Sequence, residues 1–162
     1  RGAWVFDCRE ELDGPTLPLT IDINGMHVRT EPPHYVAGIP PADDVEVDPD
    51  DFAVRRDEWE DLIWPALVHR IPAFERIAVT HSWVGHYAYN TLDRNAVVGP
   101  AEAVANFYFC NGFSGHGLQQ SPGVGRALSE LLTYGEYRTI DLSAMGHGRI
   151  MRGEPFLEKA II

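Results

Sequence analysis

The chain has 162 residues, and 13 Lys and Arg against 24 Asp and Glu give a formal net charge of −11, which argues against a nucleic-acid backbone or an anionic membrane surface as partner. A 44% hydrophobic and 23% charged composition excludes wholesale disorder, and no apolar run nears the roughly 20 residues that cross a bilayer. Two cysteines, Cys8 and Cys110, are too few for a disulfide scaffold, so a reducing, cytoplasmic setting is expected.

Ala3-Trp4-Val5-Phe6 reads as a strand close to the first residue. A strand needs a partner for its N–H and C=O groups, and no basic and apolar leader precedes this one. The expectation is a piece of a longer protein, or a chain that finds its partner as a homodimer. Leu19 to Thr30 alternates around Asn24-Gly25, which predicts a hairpin with a type I′ turn. Glu31-Pro32-Pro33 ends the second strand, and His34 to Gly38 reads as a third. Carboxylates then cluster at Asp43, Asp44, Glu46, Asp48, Asp50 and Asp51. No glycine falls inside that run, so a solvated loop is expected there rather than a calcium site.

Asp57 to Arg70 has helical spacing, with Trp59, Leu62, Ile63, Ala66 and Leu67 on one face. Pro65 should kink or divide this helix, and Pro72 should end it. Ile77 to Tyr89 alternates as one long strand whose aromatic, histidine-bearing face carries His81, Trp83, Tyr87 and Tyr89. Asn95 to Val98 predicts a short strand and Asn106 to Cys110 a buried one. Ser121 and Pro122 suit the N-cap and first position of a helix. Its core stripe is Val124, Ala127, Leu128, Leu131 and Leu132, and Gly135 stops it. Tyr137 to Leu142 reads as a last strand.

Between the buried strand and that helix lies Asn111-Gly112-Phe113-Ser114-Gly115-His116-Gly117-Leu118-Gln119-Gln120. Strand, glycine loop and helix N-terminus together suit an electron-rich ligand. Glycines let the backbone approach closely, and the helix start offers free N–H groups and positive potential. The spacing alone is neither the dinucleotide fingerprint nor a P-loop, and a tight turn packed under a helix explains it equally well.

Asn111 to Arg126 closely resembles the C-terminal flavin-contacting motif of the FAD-dependent amine and amino-acid oxidoreductases, the family of sarcosine oxidase, glycine oxidase and D-amino-acid oxidase. Trp83 to Asp93 before the loop and Ile140-Asp141-Leu142-Ser143 after it fit the same family. The resemblance implies an FAD cofactor, held in a longer parent protein and not necessarily in this chain, and a small-molecule amine or amino acid as substrate. It also implies that the N-terminal dinucleotide fingerprint, which is missing here, belongs to a part of the parent outside this chain. The expected fold is α+β. A mixed, mainly antiparallel sheet with a packed helix forms a substrate-lobe portion over residues 1–91. A strand–glycine loop–helix unit from an incomplete FAD-binding lobe follows over 92–162.

The resemblance gives the site residues their roles. Hydride passes from the carbon beside an amine to flavin N5, and Gly112, Phe113, Ser114, Gly115, His116, Gly117, Leu118 and Gln119 contact the flavin, chiefly through backbone donors. His116 either polarises the substrate site or braces the loop. His86, a second catalytic candidate, lines the substrate cavity with Tyr87 and Tyr89, unless the two tyrosines pack as core. His27 and Arg29 share a hairpin strand, and Arg29 is either a carboxylate anchor or an exposed strand arginine. Gln119 stands where sarcosine oxidase-like members carry a substrate-binding lysine. Tyr35-Val36-Ala37 also lacks the lysine of fast oxidases, and Lys159 is the sole lysine of the chain. These departures favour a dehydrogenase over an oxidase. No metal site is expected, because His81 and His86 would face opposite sides of one strand. The alternative function is a non-catalytic binding or dimerising module.

Overall fold

In the computed structural model, which describes residues 1–10, 12, 16–41 and 45–159, the opening apolar run forms β1 (Gly2–Cys8). It lies inside a five-stranded sheet with β2 (Thr20–Ile21), β3 (His27–Glu31), β4 (His34–Gly38) and β5 (Ile77–Val84). The order is β2-β3-β4-β1-β5, and every neighbouring pair is antiparallel. The chain divides into two compact units, Arg1–His86 and Tyr87–Ile162.

Alternation along β1 sends Trp4 and Phe6 into the core of the first unit, where they meet Val28, Ala37, Ile63, Leu67 and Phe74. Phe74 packs edge-on against Phe6 at 5.2 Å and against Tyr35 at 5.1 Å. Full burial of such side chains is worth roughly 1.5–3 kcal/mol each. The helix over this face begins as a π-helical segment, Glu58–Ile63, and continues as α1 (Trp64–Arg70). Pro65 accounts for the change. It has no N–H to donate, and the preceding turn is widened so that Trp64 N bonds Trp59 O. Ile63 and Leu67 are buried, but Leu62 is exposed, so the inward stripe is narrower than its spacing predicts. A 3₁₀ turn, Pro72–Glu75, follows.

The expected hairpin is present with a different turn. Gly25 N bonds Asp22 O at 2.9 Å, Asp22 N bonds Met26 O at 2.8 Å, and only Gly25 has positive φ (83°). This is a type I turn closed by a left-handed glycine, and Asn24 serves by accepting Met26 N at its Oδ1. In the acidic loop, Asp43 and Asp44 lie outside the described residues. β5 ends at Val84 instead of Tyr89, and just past it Gly85 N bonds Arg1 O. His86, Tyr87 and Tyr89 therefore sit on irregular chain. Thr80 is an extra residue opposite the step between Val5 and Phe6, and it breaks the strict alternation of β5.

The second unit pairs β6 (Val97–Pro100) with β7 (Tyr108–Asn111) and adds α2 (Gly117–Tyr134) and α3 (Gly148–Arg152). β7 is largely exposed rather than buried: within the described residues it has one strand neighbour, and Tyr108, Cys110 and Asn111 face solvent. The core is Ala96, Val98, Val124 and Met145, with Leu128 against it and Leu132 outside. α2 starts at Gly117, not at Ser121-Pro122. Pro122 stands inside the helix, and the carbonyl its missing N–H would serve, Leu118 O, accepts Ser121 Oγ at 2.9 Å. Gly135 ends α2 in the left-handed conformation (φ 78°). Tyr137 to Leu142 form no strand, since the N–H groups of Arg138 and Thr139 both donate to the Glu130 carboxylate at 2.9 Å. The fold is α+β, with an antiparallel sheet, a helix packed on it, and a strand–glycine loop–helix unit.

Candidate functional site

Past β7 the chain turns through Gly112, Ser114 and Gly115 with φ of 72°, 51° and 101°. Ser114 tolerates a left-handed backbone because each of its donors is used. Its N–H donates to Ala88 O at 3.1 Å and its Oγ to Gly112 O at 3.2 Å, while Oγ accepts Asn90 N at 2.9 Å. Asn90 extends the tie, its Nδ2 donating to Asp93 and to Asn95 O. The loop is thus pinned from beneath, with Ser114 buried and Gly115 open to solvent.

His116 is the N-cap of α2. Its N–H bonds Phe113 O at 2.9 Å, and its carbonyl accepts Gln120 N at 3.1 Å. The N–H groups of Gly115, Gly117, Leu118 and Gln119 meet no acceptor among the described residues, and no side chain caps the helix. A helix start leaves such donors orphaned, and the 18-residue α2 adds the positive end of its dipole. Among the described residues both ring nitrogens of His116 are buried without a hydrogen-bond partner. Open, positively polarised amides at a helix start suit an electron-rich heteroaromatic edge, and the residues fit a flavin.

The structure brings Tyr87 to this loop, its ring against Gly115, whereas a Cβ at Gly117 would meet only Phe113 at an ordinary 3.5 Å. Phe113 also packs on the second core, and Leu118 and Gln119 are exposed on the first turn of α2. His86 belongs to the first unit, is exposed, and sits edge-on to Phe52 at 4.4 Å. His27 and Arg29 share one face of the first sheet. The His27 ring covers Gly38, and Arg29 pairs with Glu31 at 2.9 Å. Burial pushes the His27 imidazole below its ordinary pKa against the contact with Gly25 O, and the charges of Arg1 and Arg29 push the same way as burial. Among the described residues no group of His, Cys, Asp or Glu is placed to hold a metal ion, and no helix is long and apolar enough to cross a membrane.

Three supports escaped sequence reasoning. Arg149 is buried with Asp93, Nε to Oδ2 at 2.6 Å, and also donates to Met145, Asn95 and Ala96 carbonyls. Burial works to raise the Asp93 pKa, but Arg149 and the N–H groups of Phe156 and Asn95 outweigh it and hold the carboxyl below its ordinary value. Glu130 is buried on α2 and binds Arg126 and Thr139. Asn90 ties the loop. The signal for Glu130 is its place in the Val124, Ala127 and Leu131 stripe; the Asp93–Arg149 pair, 56 residues apart, leaves none. A cavity of about 540 Å³, lined in part by Leu131, Tyr137, His147 and Arg152, opens elsewhere in this unit and includes no loop residue.

Comparison with known proteins gives the frame. The family model described as DAO, FAD dependent oxidoreductase, matches residues 2–131. FAD-dependent oxidoreductase domain-containing protein 1 of Xenopus laevis is 46% identical over 166 residues, covering 100% of this chain and 33% of the relative. The Mus musculus protein of the same name is 42% identical over 153 residues, covering 92% and 31%. L-proline dehydrogenase from P. horikoshii superposes with a TM-score of 0.80 at 24% identity, covering 97% of this chain and 40% of that one. Iminodiacetate oxidase from Chelativorans sp. BNC1 does so with 0.70 at 17%, covering 90% and 38%. These structural likenesses show the fold, and the chain spans about a third of the length of its curated relatives. A model match that runs through the glycine loop, joined to relatives alike over essentially the whole chain, makes this chain a member of the DAO family of FAD-dependent oxidoreductases.

Proposed function

We propose that the chain is the C-terminal part of an FAD-dependent enzyme that oxidises an amine or amino acid. In this reading residues 1–91 are part of the substrate lobe and 92–162 part of the FAD-binding lobe. The observation that carries it is the set of unpartnered amides of Gly115, Gly117, Leu118 and Gln119 at the start of α2. A flavin bound there supplies the hydride acceptor for the carbon beside the amine. The amides would hold its electron-rich edge, on a loop that Ser114 and Asn90 already fix. His116, the N-cap residue beside these amides, is the first catalytic candidate of the loop. His27, Arg29, Tyr87 and Gln119 bind substrate, and His86 stands as a second candidate at the reacting centre. The neutral Gln119 and the single lysine, Lys159, support a dehydrogenase over an oxidase.

The test is Gly117→Val in the full-length protein. Space at Gly117 accepts a Cβ, so the variant folds, but its branched side chain crowds the open amides. Loss of the flavin absorbance bands with an unchanged far-ultraviolet spectrum is expected. Full flavin occupancy would remove the amides from the cofactor site. Rapid peroxide production on an amino-acid substrate would overturn the preference for a dehydrogenase.

A further inference from the structure

We propose that Asn90, Asp93 and Arg149 are positioning residues for the cofactor. Through Ser114 they hold the loop before α2 in the shape that binds flavin, and they couple α3 and the segment after it to that loop. This rests on the reading above and adds to it residues that act through Ser114 rather than on the flavin itself. Arg149 and Phe156 lie beyond residues 2–131, the stretch that the family model matches.

The network begins at the loop. Ser114 has a φ of 51°, a conformation that a residue with a side chain keeps only where its surroundings fix it. Asn90 supplies part of that hold, its N–H donating to Ser114 Oγ at 2.9 Å. Every polar group of Asn90 is in turn engaged. Its Nδ2 donates to Asp93 Oδ1 at 2.9 Å and to Asn95 O at 2.7 Å, and its Oδ1 accepts Leu92 N at 3.1 Å. Its carbonyl accepts Arg94 N at 2.9 Å.

Asp93 is the hub. Its buried carboxylate accepts Asn90 Nδ2, Asn95 N and Arg149 Nη2 at Oδ1, and Arg149 Nε and Phe156 N at Oδ2. The segment after α3 is tied to the same turn twice more, by Glu158 N to Asp93 O at 3.0 Å and by Asn95 Nδ2 to Phe156 O at 3.2 Å. A buried network whose members are all satisfied is rigid and specifies one arrangement. A shift of Arg149 is therefore passed by Asp93 to Asn90, and by Asn90 to Ser114. The charges of Asp93 and Arg149 balance, so what the pair transmits to the loop is position rather than field. The path ends beside Gly115, whose N–H meets no acceptor among the described residues.

Titration of FAD into the flavin-free full-length protein, followed by flavin fluorescence, tests this, with the thermal midpoint of each variant measured alongside. Ser114→Gly removes the hydroxyl while glycine accepts the left-handed backbone. Asn90→Ala removes the side chain that reaches Asp93. Each should weaken FAD about tenfold, the worth of one well-placed hydrogen bond, and Ser114→Gly should do so with little change in midpoint. Arg149→Lys keeps the charge but loses the fork on Asp93, and should weaken FAD about threefold. That distant effect should vanish in the Asn90→Ala background, where its path is cut. Unaltered FAD affinity in either Ser114→Gly or Asn90→Ala, whatever the midpoint, overturns the proposal and leaves the network a brace of the fold. Additive losses for Arg149→Lys and Asn90→Ala overturn it too. So does an equal loss in Arg152→Gln, on α3 but paired with Glu154 outside the network. If Gly117→Val binds FAD fully, the amides are not the cofactor site and the reading above fails. If Gly117→Val loses FAD while Ser114→Gly and Asn90→Ala bind it as wild type does, this proposal alone fails.

Discussion

The Tyr87 ring fills the space where a side chain on Gly115 would stand: a Cβ there would come 2.4 Å from Cε2 and 2.8 Å from Cζ. With φ at 101°, Gly115 is constrained twice, by its backbone and by its neighbour.

Gly115→Ala is therefore expected to cost roughly 1–3 kcal/mol, which lowers the thermal midpoint by several degrees. Combining it with Tyr87→Ala should recover the steric part and leave the backbone part, a positive coupling in a double-mutant cycle. Additive losses in thermal unfolding would show that the ring does not press on the loop.

Asp93 and Arg149 hold the second unit from inside, both side chains buried. Asp93→Ala leaves a guanidinium buried without its counter-charge, a loss of about 3–5 kcal/mol. Asp93→Leu with Arg149→Met should be markedly less destabilising than the sum of the single changes. Urea unfolding of the four proteins measures this, and strict additivity would contradict the pairing.

Glu130 has its pKa lowered to about 2 by Arg126, then by Thr139 and the nearby backbone N–H groups, from an ordinary 4.5. A depressed carboxyl binds its proton more weakly in the folded chain, so its contribution is present in full above the unfolded pKa. That contribution fades as pH falls from there through about 2. Glu130→Gln should accordingly be less stable than wild type near neutrality, and the gap should narrow toward pH 2. A gap independent of pH would mean that the carboxylate's charge plays no part.

What the sequence disclosed followed from local chemistry. Asn24-Gly25 marks a hairpin because a glycine is needed where the chain reverses, and Gly135 marks a helix end for the same reason. The glycine loop is legible because glycines and a following helix are written side by side. The misread elements depend on partners the sequence does not pair. Ser121-Pro122 looks like a helix start, but Pro122 stands inside α2, with Ser121 Oγ on the Leu118 carbonyl that its missing N–H leaves free. Tyr137 to Leu142 alternates like a strand, but Glu130 takes the N–H groups a ladder would need. β5 reads as running on to Tyr89, but the ladder stops at Val84 and the chain beyond it is irregular. His27, Arg29, His81 and Trp83 fall on one face through pairings across β4 and β1 that no local pattern reveals.

Hydrogen exchange over residues 115–119 of the full-length protein, with and without FAD, reaches the central claim most directly. The amides of Gly115, Gly117, Leu118 and Gln119 have no acceptor in the described chain, so they should exchange fast without FAD and slow at least tenfold when it is bound, the protection of one occupied hydrogen bond. Unchanged exchange in protein that demonstrably carries flavin would contradict the cradle.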